Sequence, residues 1–347
     1  MIRKLYKYMP LRLEFFEDPM FRASPIHLLN DPFEVDPQEH QLTNISKHLF
    51  EEGELTPLLL NDSDTCFDYD EHKKWFVTNQ THLIKADLRR FSQEFKRFGV
   101  VSLTEDYQNL LMWSHYADEH RGIVVELSNE VSWLKHKKSP HPDPYCCFES
   151  NPFNYCRELP QRVVYRSDRP SFEFAVDVVH DLGESKVFDN YFYSKGDSWI
   201  YEKEHRSVLP LMYADKILTN YTSDVKEYME EYPSLKVKNI ERCSYNNIQK
   251  CELTFSGSDC NDARMSITYL LLSRDNNPMF FYGVDESFIS CIYLGCRVTD
   301  TKALAVLDAI KRNPRFDDSI VVKRAKLSKE RYSLEFETIS YPMLYKV

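Results

Sequence analysis

Apolar residues along this chain recur with two different periods. Between residues 80 and 98, Ile84, Leu88, Phe91, Phe95 and Phe98 step by 4, 3, 4 and 3, the stripe of one helix face. Elsewhere the apolar runs have strand length: KLYKY at 4–8, GVVSLTED at 99–106, RGIVVELS at 121–128, then 161–166, 199–210, 278–284 and 289–294. FRASPIHLLNDPFE, residues 21–34, reads as a strand or turn closed by an Asn-Asp-Pro corner, stiffened by Pro25 and Pro32. NLLMWSHYADEH reads as a short helix or turn, helices are expected over 171–194 and 300–312, and a hairpin over 318–340 closes the chain. Residues 36–70 are polar without a clear period, and 134–160 carry five prolines, which marks a loop insertion. Strands and helices mix without a regular βαβ repeat, so the expected class is α+β.

Composition narrows the picture. With 347 residues, 14% aromatic and 28% charged, the chain has material for a large core. It reads as a single domain, 1–347, with a helical insertion at 36–98, the loop insertion at 134–160 and a C-terminal extension of helix and hairpin at 299–347. A formal charge of −10 argues against a protein whose main task is to hold nucleic acid by its phosphates. The N-terminus, MIRKLYKYMPLRLEFF, lacks the apolar core of a signal peptide, and no apolar run approaches the roughly 18 residues of a membrane span. Nine cysteines without a framework pattern suit a reducing compartment, so the expected location is cytoplasmic, away from membranes. The closest two of the eight glycines, Gly283 and Gly295, are 12 apart. That spacing rules out both a Gly-x-Gly-x-x-Gly turn and a Gly-x-x-x-x-Gly-Lys phosphate loop, so any nucleotide must be handled by another architecture.

The candidate chemistry centres on WIYEKEHRSVLP, residues 199–210. On a strand, Glu202, Glu204 and Arg206 share one face; on a helix, Glu202 and Arg206 form an i,i+4 pair while Glu204 points elsewhere. The alternation Ile200, Glu202, Glu204, Arg206, Val208 predicts a strand over 199–209. A solvated edge strand with interleaved charges would carry the same pattern. His136, His141, Cys146, Cys147 and Cys156 lack the short paired spacing of zinc ligands, so no metal site is expected. Cys291 and Cys296 in CIYLGC read as buried free thiols. Ser114 and His115 diverge on a helix and make a poor nucleophile–base pair. Trp113, Tyr116 and His120 offer flat faces for a pocket, though Trp113 serves equally as a core wedge.

The ordered set KLYKY, FRASP…NDPFE, VVSLTED…LLMWSHYADEHRGIVVEL, VVY, WIYEKEHRSVL and CIYLGCRV resembles the bacterial family called domain of unknown function 2971, over roughly 1–298. That family name implies no activity. A second resemblance is to the ADP-ribosyltransferase fold, whose members bind NAD between two halves of a split sheet. Arginine-modifying members carry a Glu-x-Glu, to which Glu202-Lys203-Glu204 is similar. The resemblance implies a split β-sheet core with helical and loop insertions, NAD as substrate, Glu204 as the catalytic glutamate and Glu202 assisting the acceptor. It places Ser24 in the second motif and Lys7 where the fold has Arg or His on its first strand, with Arg3 and Arg12 nearby. Tyr6, Tyr8, Asn30, Asp31, Trp113, Tyr116, His120 and Arg206 complete the expected NAD-binding set.

Cleaving the nicotinamide–ribose bond builds positive charge on the ribose, which a fixed carboxylate stabilises, while a second carboxylate takes the proton of the incoming nucleophile. Two function classes stay open. One is an ADP-ribosyltransferase acting on a macromolecule, protein or nucleic acid, as a bacterial toxin or anti-phage effector held by an antitoxin or regulatory protein. The other is a non-catalytic sensor module that binds a ligand or partner. A cleft-facing Glu204 also implies that Glu204→Gln leaves stability nearly unchanged.

Overall fold

Strand β1 (Lys4–Met9) turns its alternation into two buried faces: Leu5 enters the larger core, and Tyr6 and Tyr8 enter an aromatic cluster on the opposite side. The computed structural model describes residues 4–34, 95–128, 132–135, 157–168, 189, 191–242, 249–256, 260–274, 278–316 and 320–340. The remaining strands are β2 (Met20–Pro25), β3 (Phe98–Thr104), β4 (Ile123–Ser128), β5 (Arg157–Arg162), β6 (Val164–Arg166), β7 (Ser194–Gly196), β8 (Glu204–Pro210), β9 (Lys216–Asn220), β10 (Leu235–Arg242), β11 (Gln249–Phe255), β12 (Met279–Gly283), β13 (Ile289–Leu294), β14 (Val321–Leu327) and β15 (Leu334–Thr338).

Strand β3 is the branch point of the sheet. One of its edges pairs in unbroken register with β8, from Phe98↔Pro210 to Thr104↔Glu204. The other edge is divided: Ser24 and Pro25 of β2 pair with Val100 and Gly99, whereas Tyr6 of β1 pairs with Thr104. From this division two limbs run outward, β2-β12-β9-β11-β10 and β1-β4-β13-β14-β15, while β5 adds to the far side of β8. Pairing is antiparallel except between β13 and β14, and β6 and β7 form a separate parallel pair. The class is therefore a mixture of helices with a mostly antiparallel sheet, as the pattern of runs predicted.

The main core lies on the face carrying Leu5, Val101, Leu103, Ile123, Val125 and Leu209, and helix Asp300–Arg312 packs into it through Ala303, Val306 and Ile310. On the other face, helix Leu110–Tyr116 presses Met112 and Trp113 against Tyr6, Tyr8, Val124 and Tyr293. Asn109 caps this helix by accepting hydrogen bonds from the Leu111 and Met112 amides. At its other end Asp118, Glu119 and His120 take φ of 47°, 50° and 69°, a left-handed run that swings the chain into β4. Two glycines let this turn seat. A Cβ on Gly122 would lie 2.4 Å from Met9 O, and one on Gly295 would lie 2.0 Å from His120 O.

Most expected elements appear with shifted ends. The hairpin expected over 318–340 is β14–β15, and it extends the main sheet through β13. Of the helix expected over 80–98, only 95–98 fall within the described residues, and β3 already begins at Phe98. Of the one expected over 171–194, only 189 and 191–194 are described, and Ser194 belongs to β7. The loop expected over 134–160 gives way to β5 at Arg157. No element was anticipated over 211–277, where β9, β10, β11 and helices Ser223–Glu231 and Cys260–Ser273 fold. Among the described residues no helix is long and apolar enough to cross a membrane.

The contact of Gly295 with the His120 carbonyl is backbone against backbone, so a side chain there cannot be absorbed by a rotamer change. Gly295→Ala is expected to cost about 1–3 kcal/mol or more in urea unfolding. Gly196→Ala, whose Cβ would meet its nearest neighbours at 3.8 Å, is expected to stay within about 1 kcal/mol of wild type.

Candidate functional site

Lys203 takes the left-handed conformation, φ 45° and ψ 47°, between the 3-10 turn Asp197–Glu202 and β8. The strand expected over 199–209 therefore begins only at Glu204, and Glu202 does not share a strand face with Glu204 and Arg206. Alternation cannot register such a residue, because it breaks the period of 2 at a single position. The two carboxylates nevertheless meet, through a residue from a different strand. Lys195 of β7 donates from Nζ to Glu202 Oε2 at 2.7 Å and to Glu204 Oε2 at 3.1 Å.

Arg206, which is 0% exposed, completes the cluster. Its Nε and Nη2 each donate to a Glu204 oxygen at 2.9 Å, and Nη1 donates to Phe192 O at 2.6 Å. This fork-to-fork pairing satisfies the geometry that a buried ion pair needs. Burial by itself raises the Glu204 pKa. The charges of Arg206 and Lys195 outweigh it, with hydrogen bonds from Arg206 and Ser102 adding to them, and hold the carboxyl at about 2. Lys195 also sits 4.9 Å from the Trp199 ring centroid, a cation–π contact.

Three sequence-distant motifs join here. Tyr116 OH donates to Glu202 Oε1 at 2.6 Å, and Asn30 Nδ2 donates to Tyr116 OH at 3.0 Å. Burial, and then the Glu202 charge, raise the pKa of the Tyr116 hydroxyl strongly, so it serves as a donor at neutral pH. Thr104 Oγ1 donates to Glu202 O at 2.6 Å, and Asn109 Nδ2 donates to Tyr201 O at 2.8 Å. Tyr165 of β6 accepts the Glu204 amide at 2.8 Å, and burial pushes its hydroxyl up to about 12. Asp31 is buried: Oδ1 accepts the Phe33 amide at 2.9 Å, and Oδ2 faces Gly196 without a hydrogen-bond partner.

The other expected residues take different places. Lys7 reaches toward this cluster and donates to Ser102 O at 2.8 Å; Ser24 stands on β2 where it joins β3. Tyr6, Tyr8 and Trp113 are packed together, with Tyr8 OH on Asp106 O and Trp113 Nε1 on Tyr107 O. His120 stacks on Trp113 with ring centroids 6.4 Å apart and stays outside the hydrogen-bond chain. Cys291 is buried and Cys296 partly so, and both are free thiols. His136, His141, Cys146, Cys147 and Cys156 lie outside the described residues. Sequence reasoning missed Lys195, Trp199, Asn109 and Tyr165. The VVY run at 163–165 and the Asn before the apolar LLMW run were signals for two of them, whereas Lys195 carries no local signal.

Glu204 is 3% exposed and neutralises two buried cations, so the expectation of a nearly neutral Glu204→Gln is corrected. Removing one partner of a buried ion pair costs about 3–5 kcal/mol, and a loss of that order is expected in denaturant unfolding. The folded pKa of Glu204 lies below its ordinary 4.5, so the stabilisation is complete above about pH 4.5 and is lost as pH falls through about 2. An acid titration of wild type should show this decline, and Glu204→Gln should flatten that part of the profile.

Residues 112–207 match the model of a family described as "Protein of unknown function (DUF2971)". The matched stretch contains Tyr116, Tyr165, Lys195, Glu202, Glu204 and Arg206, the greater part of the bonded cluster. No curated protein and no solved structure matches the chain.

Proposed function

We propose that the chain is an ADP-ribosyltransferase that consumes NAD and modifies a macromolecular acceptor, acting in the cytoplasm as a toxin or anti-phage effector. The observation that carries this reading is the convergence of Asn30, Tyr116, Glu202 and Glu204 beside the division of the sheet at β3. A split sheet with a Glu-x-Glu at its edge is what the resemblance to the transferase fold implies.

In this reading the nicotinamide–ribose bond breaks with its electron pair leaving on the nicotinamide nitrogen, and positive charge grows on the ribose carbon. Glu204, held ionised by Arg206 and Lys195, supplies fixed negative charge to that carbon. Glu202 receives the proton of the attacking acceptor group, and Tyr116 and Asn30 orient its carboxylate. Trp199, only partly buried beside Lys195, offers a flat face for the nicotinamide or adenine ring.

One observation favours a second reading. Glu202 and Glu204 are each 3% exposed, and both oxygens of Glu204 are already bonded, as in a sealed scaffold beneath a binding surface. NAD turnover with a cell lysate separates the two. Relative to wild type and per folded molecule, Glu204→Gln is expected to lose on the order of 10²–10³ in NAD cleavage. Glu202→Gln should impair transfer to the acceptor more than cleavage. Folding of each variant is monitored by circular dichroism. Wild-type protein that leaves NAD intact, or a folded Glu204→Gln protein with full turnover, would establish the binding module instead.

A further inference from the structure

The gap between β1 and β2 on the divided edge of β3 contains two cations with no use in the cluster described above. The register Tyr6↔Thr104 sets Lys7 at the level of Leu103, and Ser24↔Val100 continued by two residues sets Arg22 at the level of Ser102. Ser102 in turn lies opposite Arg206 on β8, so both cations border the Glu204 cluster. Lys7 Nζ has a single hydrogen bond, to Ser102 O at 2.8 Å. Arg22 Nε is buried and makes no hydrogen bond. Glu204, the carboxylate whose charge reaches Lys7, is already matched by Arg206 and Lys195. The exposed Arg12 adds its field to that of Arg22. Like charges held half-buried with no carboxylate of their own repel one another and lose hydration, an arrangement that an anion relieves.

We propose that Lys7 and Arg22 form an anion site for the diphosphate of a nucleotide, seated in the gap between β1 and β2. The planar guanidinium of Arg22 suits paired phosphate oxygens, and Lys7 contributes a point charge. The site rests on the preceding reading for its nucleotide, yet its binding chemistry holds whether or not the chain cleaves NAD. Burial pushes the Lys7 amine down to about 8; Arg22 adds to that shift and Glu204 opposes it. The free protein therefore loses the Lys7 charge as pH rises through about 8, and anion binding should weaken over the same range.

Calorimetric titration of the full chain with phosphate, pyrophosphate and ADP at pH 7 and pH 9.5 tests the site. ADP and pyrophosphate are expected to bind more tightly than phosphate, and Arg22→Gln and Lys7→Gln to weaken both by about 10- to 100-fold. Neither variant should lower Tm, since each removes an unpaired, partly buried cation; a merely structural cation would lower it. Lys7→Arg should retain at pH 9.5 the affinity that wild type loses. Binding of pyrophosphate but not ADP would support the anion site with free diphosphate as its source. No binding of either by wild type, or unchanged binding by both Gln variants, would overturn the proposal. ADP binding that depends on Arg22 in a protein that leaves NAD intact sinks the transferase alone, whereas NAD turnover indifferent to Arg22→Gln sinks this site alone.

Discussion

The structure depends on how Glu204, Arg206, Lys195 and Glu202 neutralise one another away from water. Each charge alone would carry a desolvation penalty of several kcal/mol, so the four must be brought to bonding distance together or not at all. That requirement links elements far apart in the chain: β7 supplies Lys195, β8 supplies Glu204 and Arg206, and the left-handed Lys203 sets Glu202 across from its neighbour. A buried ion cluster of this kind adds little net stability over an apolar replacement, yet losing one member is costly. Its effect here is to tie β7 and the turn before β8 to one geometry.

Strand β3 provides the setting for that cluster. Its full pairing with β8 holds Glu204 and Arg206 rigidly, and the divided pairing of its other edge leaves room that regular ladders would have filled. Lys7 occupies part of this room by bonding to the Ser102 carbonyl, a backbone group at the divided edge. Function and architecture therefore meet at one edge of one strand.

The position of Tyr116 depends on packing farther off. Helix Leu110–Tyr116 is short and draws its stability from Trp113 in the aromatic core, the Asn109 cap and the left-handed turn after it. That turn fits only because Gly122 and Gly295 admit neighbouring backbone within contact distance. Tyr116 is in this way fixed on a rigid element, and through it Glu202 is oriented from the opposite side to Lys195.

By themselves the residues determined the α+β class, most strands of the central sheet, helix Asp300–Arg312, the closing hairpin, and the motifs from which the cluster is drawn. Those features depend on local period and turn chemistry, which act over a few residues and so are written in the order of the chain. Tertiary structure alone decided the rest. Lys195 sits at the boundary between two expected elements with nothing beside it to mark it, and only the parallel pairing of β6 with β7 carries it to the carboxylates. The alternation through 200–208 was broken by one left-handed residue, which a hydrophobic pattern does not encode. Tyr6, Tyr8 and Trp113 look alike as ligand platforms and as core in a sequence, because an aromatic ring suits both. Burial against Tyr107, Val124 and Tyr293 put them in the core, and burial is a property of the folded chain.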